Sequence, residues 1–196
     1  MAEAARLYPG AGPRPAPRQG GPMRATRRTG AALAVLLLCG LAGCADDGSG
    51  AWTEVEDGRL RVDRPTAWSA PVPVEAPWTA GFTPGEGAVE QLQVSGDFGD
   101  HTSAAQGMGT LVGQAQVGLR GFTVVESRDV EIEGATTGRL TRYTFTDNGG
   151  SQLTGTWVVA ARWPSPQSVA VSFLTPQPDP ELERRVLESL VLDADG

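Results

Sequence analysis

The twelve residues Ala31 to Ala42 form the longest apolar run of the chain, preceded by Met23-Arg-Ala-Thr-Arg-Arg28 and followed at once by Gly43-Cys44. As a helix, a run of that length spans about 18 Å, well short of the ~30 Å hydrocarbon core of a bilayer. A basic stretch, a short apolar stretch and small residues, in that order, have the form of an export signal. The run therefore takes residues 1–43 out of the fold and leaves the chain from Cys44 onward to make a domain. Residues 1–22 are rich in Pro, Gly and Arg and cannot build a core. The signal begins at Met23, which is the expected start of translation. After Arg27-Arg28 the apolar residues that a twin-arginine route needs two and three places later are replaced by Gly30 and Ala31, which favours general secretion.

The stretch Leu41-Ala42-Gly43-Cys44 resembles a bacterial lipobox. The resemblance implies cleavage between Gly43 and Cys44, lipid on the Cys44 thiol, and a location on the outer face of the cytoplasmic membrane. The membrane partner is then reached through acyl chains, each buried CH₂ contributing ~0.8 kcal/mol. The other cysteine, Cys39, lies inside the apolar run, and no cysteine follows Cys44. The domain thus has no internal disulfide and no thiol chemistry.

Charge points the same way. Residues 1–43 carry six Arg and one Glu, and residues 44–196 carry ten Arg against 22 acids, with no Lys anywhere. So acidic a domain is a poor nucleic-acid partner, because phosphate binding needs basic residues to release counterions. An anionic bilayer also repels it. Residues 45–57 hold five acids and no base and read as an extended tether. The domain is expected over 58–192, with 193–196 as a tail.

Within the domain, Leu60 and Val62 alternate with Arg59 and Arg61, the period of a strand. Trp68 to Val74 reads as a Pro-punctuated edge, Val89 to Val94 as a strand and Gly96 to Asp100 as a loop. Thr102 to Leu119 has an apolar stripe at helical spacing, with Thr102 or Ser103 to cap it and Gly121 to end it. Phe122 to Glu126, Val130 to Ile132 running into Arg139 to Thr146, Leu153 to Arg162 and Ser168 to Thr175 are β-rich. Asp147-Asn-Gly-Gly150 predicts a hairpin turn at Asn148-Gly149, and Trp163-Pro-Ser-Pro166 a second turn. Asp179-Pro180-Glu181 opens a final helix carrying Leu182, Val186, Leu187 and Leu190. The fold class is α+β, an antiparallel sheet flanked by helices.

Val62-Asp-Arg-Pro-Thr-Ala-Trp68, Gly138 to Phe145, Gly155 to Val159, Val169 to Phe173 and Val186-Leu-Glu-Ser-Leu190 together resemble a PsbP-like α/β/α sandwich. That fold occurs in photosystem extrinsic proteins and in actinobacterial lipoproteins of the LpqN type. The resemblance covers about residues 59–192. It implies a binding or accessory role and carries over no catalytic residues and no cofactor.

Three constellations bear on chemistry. Asp97, Asp100 and the single histidine, His101, cluster before the first helix, where acids also serve a helix N-terminus; no metal or catalytic assignment follows from them. Trp157 shares a face with Leu153 and Val159 and reads as core. Trp68, Trp78 and Phe82 lie in the Pro-rich early segment and are the candidate lining of a ligand cleft. The expected function is a non-catalytic, lipid-anchored module for an envelope lipid, glycan or protein. A pocketless docking domain and an envelope hydrolase are the alternatives.

Overall fold

A computed structural model describes residues 51–193. Cys44, Gly43, the signal segment, residues 45–50 and residues 194–196 lie outside the described residues. The elements run β1 (Trp52–Asp57), β2 (Leu60–Pro65), β3 (Ala70–Pro71), β4 (Ala80–Thr83), β5 (Gln91–Gly99), α1 (Ala104–Gly118), β6 (Thr123–Val130), β7 (Thr137–Thr146), β8 (Gln152–Arg162), β9 (Gln167–Thr175), α2 (Pro180–Ser189) and β10 (Val191–Leu192). The class is α+β. A seven-stranded sheet has the order β3-β4-β5-β9-β8-β7-β6, and a three-stranded sheet the order β1-β2-β10. Every strand pair in both is antiparallel.

The large sheet is buried on both faces, so its central strands β8 and β9 are almost wholly inaccessible. Alternation sorts their side chains. Leu92, Val94, Val158, Ala160, Val169, Val171 and Phe173 pack with α2 and the small sheet through Leu182, Val186, Leu190, Leu60 and Val62. Trp157, Val159, Ala170, Tyr143, Phe145 and Leu153 pack with α1 on the other face. Trp157 thus shares a face with Leu153 and Val159, as the alternation predicts.

Both helices start where capping chemistry directs. Ser103 caps α1 and Asp179 caps α2, the latter accepting from Glu181 N and Leu182 N with Pro180 in the first turn. Opposite Tyr143 stands Gly155. A Cβ there would lie 2.2 Å from Tyr143 Cζ, so the glycine makes room for the ring, which also lies 4.0 Å from the Trp157 ring centroid.

Four expectations are corrected. The tether is shorter than 45–57, because Trp52–Asp57 forms β1, with Val55 buried and paired to Val62. Glu54 and Glu56 alternate outward, Asp57 accepts from Gly96 N (2.7 Å), and none of the three prevents pairing. Gly96–Gly99 belongs to β5 rather than to a loop, with a register shift between Ser95 and Gly99. Asp193 is fixed by Arg61 (2.7 and 3.0 Å) and by its amide on Arg59 O (2.8 Å), so the tail starts later than 193. At the β7–β8 turn the positive φ falls on Gly150 (86°) and not on Gly149. A bond from Asp147 N to Ser151 O closes a longer turn than a two-residue Asn-Gly hairpin.

Candidate binding cleft

One end of the large sheet holds an open cleft of about 440 Å³ between the start of α1 and the β6–β7 hairpin. Its walls come from adjacent strands and are held firmly. Ala104 N donates to Thr137 Oγ1 (2.9 Å), seating the helix start on β7. The hairpin loop is tied to the small sheet by Leu192 N on Glu133 O (2.9 Å). Arg162 binds Gly134 O through Nε (3.0 Å) and Nη2 (2.8 Å), and reaches Leu192 O (2.8 Å). Gly134 has φ 76°, and a Cβ there would sit 2.0 Å from Leu192 O. Only glycine fits that approach.

Asp129 and Arg139 face each other across β6 and β7 and form the polar wall. Arg139 Nε (3.0 Å) and Nη2 (2.8 Å) both donate to Asp129 Oδ1. Within the described residues no hydrogen bond uses Asp129 Oδ2 or Arg139 Nη1. Ser103, Thr136 and Thr137 add hydroxyls to the lining. Thr136 also holds the neighbouring β8–β9 turn: Trp163 N donates to Thr136 Oγ1 (3.1 Å), which donates to Trp163 O (3.3 Å). Trp163 is 55% exposed, the one tryptophan among the large exposed apolar residues.

The residues singled out from sequence are distributed differently. Trp68 lies in the core on the α2 side, with Phe82 packed against it. The Arg64 guanidinium covers the Phe82 ring at 4.8 Å. Trp78 lies in the core on the α1 side, its ring 6.5 Å from that of Phe98. The sheet separates Trp78 from the other two, so the three do not line one cleft. Even spacing in a Pro-rich segment does not show which face each ring takes when the chain crosses an edge. Asp97 and Asp100 are exposed.

His101 is held by Ser168, Nδ1 to Oγ at 2.9 Å. The Ser168 hydroxyl donates to Gly99 O (2.7 Å), and the residue is buried. Its proton is committed to a carbonyl, so the imidazole Nδ1 is the donor in this pair. That polarity is the reverse of an activated nucleophile, in which the hydroxyl donates to the histidine. Among the described residues no three His, Cys, Asp or Glu side chains gather as metal ligands would.

The cleft itself was not visible in the sequence as a site. Asp129 and Arg139 stand ten positions apart, and they meet only through the register of β6 on β7. The sequence marks Trp163 only as part of a turn; an apolar ring in a Pro-flanked turn is the one signal that could have drawn attention to this end. No family model matches the chain, and no curated protein matches it.

Proposed function

We propose that the protein is a lipid-anchored component of the cell envelope whose domain is a non-catalytic binding module. The observation that carries the reading is the run from Met23 to Cys44, with Leu41-Ala42-Gly43-Cys44 only seven residues before Ala51. Fully extended, seven residues reach about 25 Å. Acyl chains on Cys44 would keep the domain close to the outer face of the cytoplasmic membrane. Among the described residues no helix is long and apolar enough to cross a membrane.

The direction of β1 supports a binding role. Ala51 sits where β1 begins, beside Thr66. The Asp57–Leu60 turn at the other end packs on Gly96 and, through Leu192, on the cleft loop. Six residues of strand, about 20 Å, separate the attachment point from the cleft end. A domain held by Cys44 would present the cleft away from the bilayer, toward envelope material. The bound hydroxyl of Ser168 beside His101 favours binding over hydrolysis. The order strands, helix, antiparallel meander, helix, with one helix on each face, is the arrangement a PsbP-like sandwich would have, and we propose kinship with that fold.

The test is metabolic labelling of the full chain with an alkyne fatty acid in a host that processes lipoproteins. The expected result is label on a membrane-bound species whose residue sequence starts at Cys44. Cys44→Ser should lose the label and remain an uncleaved precursor. Label that survives Cys44→Ser, or a mature chain beginning elsewhere, overturns the anchor.

A further inference from the structure

We propose that the cleft binds a neutral oligosaccharide, an assignment that rests on the binding-module reading and names its ligand class. Three features of the site define that chemistry. First, the Asp129–Arg139 pair shares only Oδ1 with Nε and Nη2, which leaves one acceptor, Oδ2, and one donor, Nη1, unengaged. One hydroxyl can donate to the first and another can accept from the second, a demand that a neutral ligand rich in hydroxyls meets. Asp129 is 81% exposed on its side chain, so reaching it costs the ligand little desolvation of protein.

Second, Trp163 gives a half-exposed indole on the bordering turn. Arg139 stands opposite Val159, and Trp163 is four residues further along the chain, in the turn just past the end of β8, so the two lie within about 14 Å at strand spacing. Thr136, which lines the cleft, bonds both the Trp163 amide (3.1 Å) and its carbonyl (3.3 Å), and this fixes the turn at the cleft's border. A flat apolar ring with a polar edge suits the face of a sugar. The separation fits an oligosaccharide better than a single ring.

Third, the alternatives fit poorly. An acyl chain would bury the unengaged groups of Asp129 and Arg139, which is costly. An anionic ligand would meet Arg139, but also Asp129 and Glu131 in a chain with 22 acids after residue 43. The walls are tied through Gly134, Arg162 and Thr137, so the site needs little ordering on binding.

The experiment is a ¹H–¹⁵N NMR titration of the chain from Cys44 to Gly196, made soluble by Cys44→Ser. The probes are N-acetylglucosamine tetramer and mannose tetramer, with an oligoglucuronate as the anionic comparison. The expected result with at least one neutral probe is a shift of the Trp163 indole N–H, assigned through Trp163→Phe, together with the amides of Ala105, Thr136 and Gly138. Trp163→Ala and Asp129→Asn should each weaken binding roughly ten-fold. Both residues are exposed, so the spectrum outside the cleft should be unchanged and loss of fold is excluded directly. No cleft shift with either neutral probe at millimolar concentration overturns the proposal, as does a response that survives both substitutions. Tighter binding of the oligoglucuronate overturns the neutral assignment. The titration does not depend on acylation: sugar shifts without fatty-acid labelling would remove the anchor and keep the site, and the converse would keep the anchor and remove the site.

Discussion

Helix α2 meets its side of the sheet with Leu182, Val186 and Leu190, an Asp179 cap, and charged side chains that reach into both sheets. Helix α1 meets the other side with Ala104, Gly107, Met108, Leu111 and Ala115, and carries no charged residue at all. The α2 face beneath it is aliphatic, built from Leu92, Val94, Val158, Val169 and Val171 with Phe173. On the α1 face the register lines up Gln93, Ser172, Trp157, Thr141 and Ser127 in one row across five strands. Area removed from water dominates stability, and the drier face with the stronger helix should carry more of it. The α1 face gives up some of that for close packing and for a helix start that seats the cleft.

The largest expected effect tests that division. Phe173→Ala, on the α2 face, should cost about 3–5 kcal/mol, read from urea unfolding. Met108→Ala on the α1 face should lie near the lower end of its class, about 2–3 kcal/mol. Equal losses, or a larger loss at Met108, would break the comparison.

Glu183 sharpens it. This α2 side chain is 9% exposed and accepts from Arg142 Nε (2.6 Å) and Nη2 (2.7 Å) and from Arg128 Nη2 (3.1 Å). Burial pushes its carboxyl up, but the hydrogen bonds and charge of Arg142, then of Arg128, outweigh burial and hold it below its ordinary 4.5. Its contribution is therefore complete above about 4.5 and fades as pH falls through the lower folded value. Glu183→Gln should cost about 2–3 kcal/mol near neutral pH. The gap between wild type and variant should narrow on acidification below 4.5. A gap that widens in acid would mean that Glu183 is not held ionised by these arginines.

How much of this was legible follows from the range of each interaction. Caps and stripes are local, so Asp179-Pro180 and the periodicity from Thr102 marked both helices to within two residues. The alternation of Leu153, Trp157 and Val159 put those three on one buried face, which the structure covers with α1. Strand β4 was missed because Ala80-Gly-Phe-Thr83 is short and its pairing with β5 supplies what its composition lacks. The segment from Ser127 to Asp129 was left out of β6 because its polar side chains carry no apolar alternation. It is an edge strand, with Val125 bulged where the register shifts between Val124 and Glu126, and charged or bulged edges resist pairing with other chains. The cleft depends on register between distant positions, and the separation of Trp68 and Phe82 from Trp78 depends on which side of an edge each ring falls. Neither is written in local pattern.

The smallest effects separate the two sides of α1 itself. Gly107 faces the sheet, and a Cβ there would lie 3.0 Å from both Phe98 Cε1 and Val159 Cγ1. Gly107→Ala gains helix propensity but must push those two side chains aside, with a net loss of about 1 kcal/mol. Gly109 and Gly113 point outward, and a Cβ at either meets nothing within 4 Å. Both are in the helix with no positive φ, so alanine there removes freedom from the unfolded chain without strain in the folded one. Gly109→Ala and Gly113→Ala should each stabilise by about 0.5–1 kcal/mol, seen as a small rise in melting temperature. If instead Gly107→Ala stabilises as much as the outward pair, α1 is not held close to the sheet by small residues. The difference between the two faces would then rest on the charges of α2 alone.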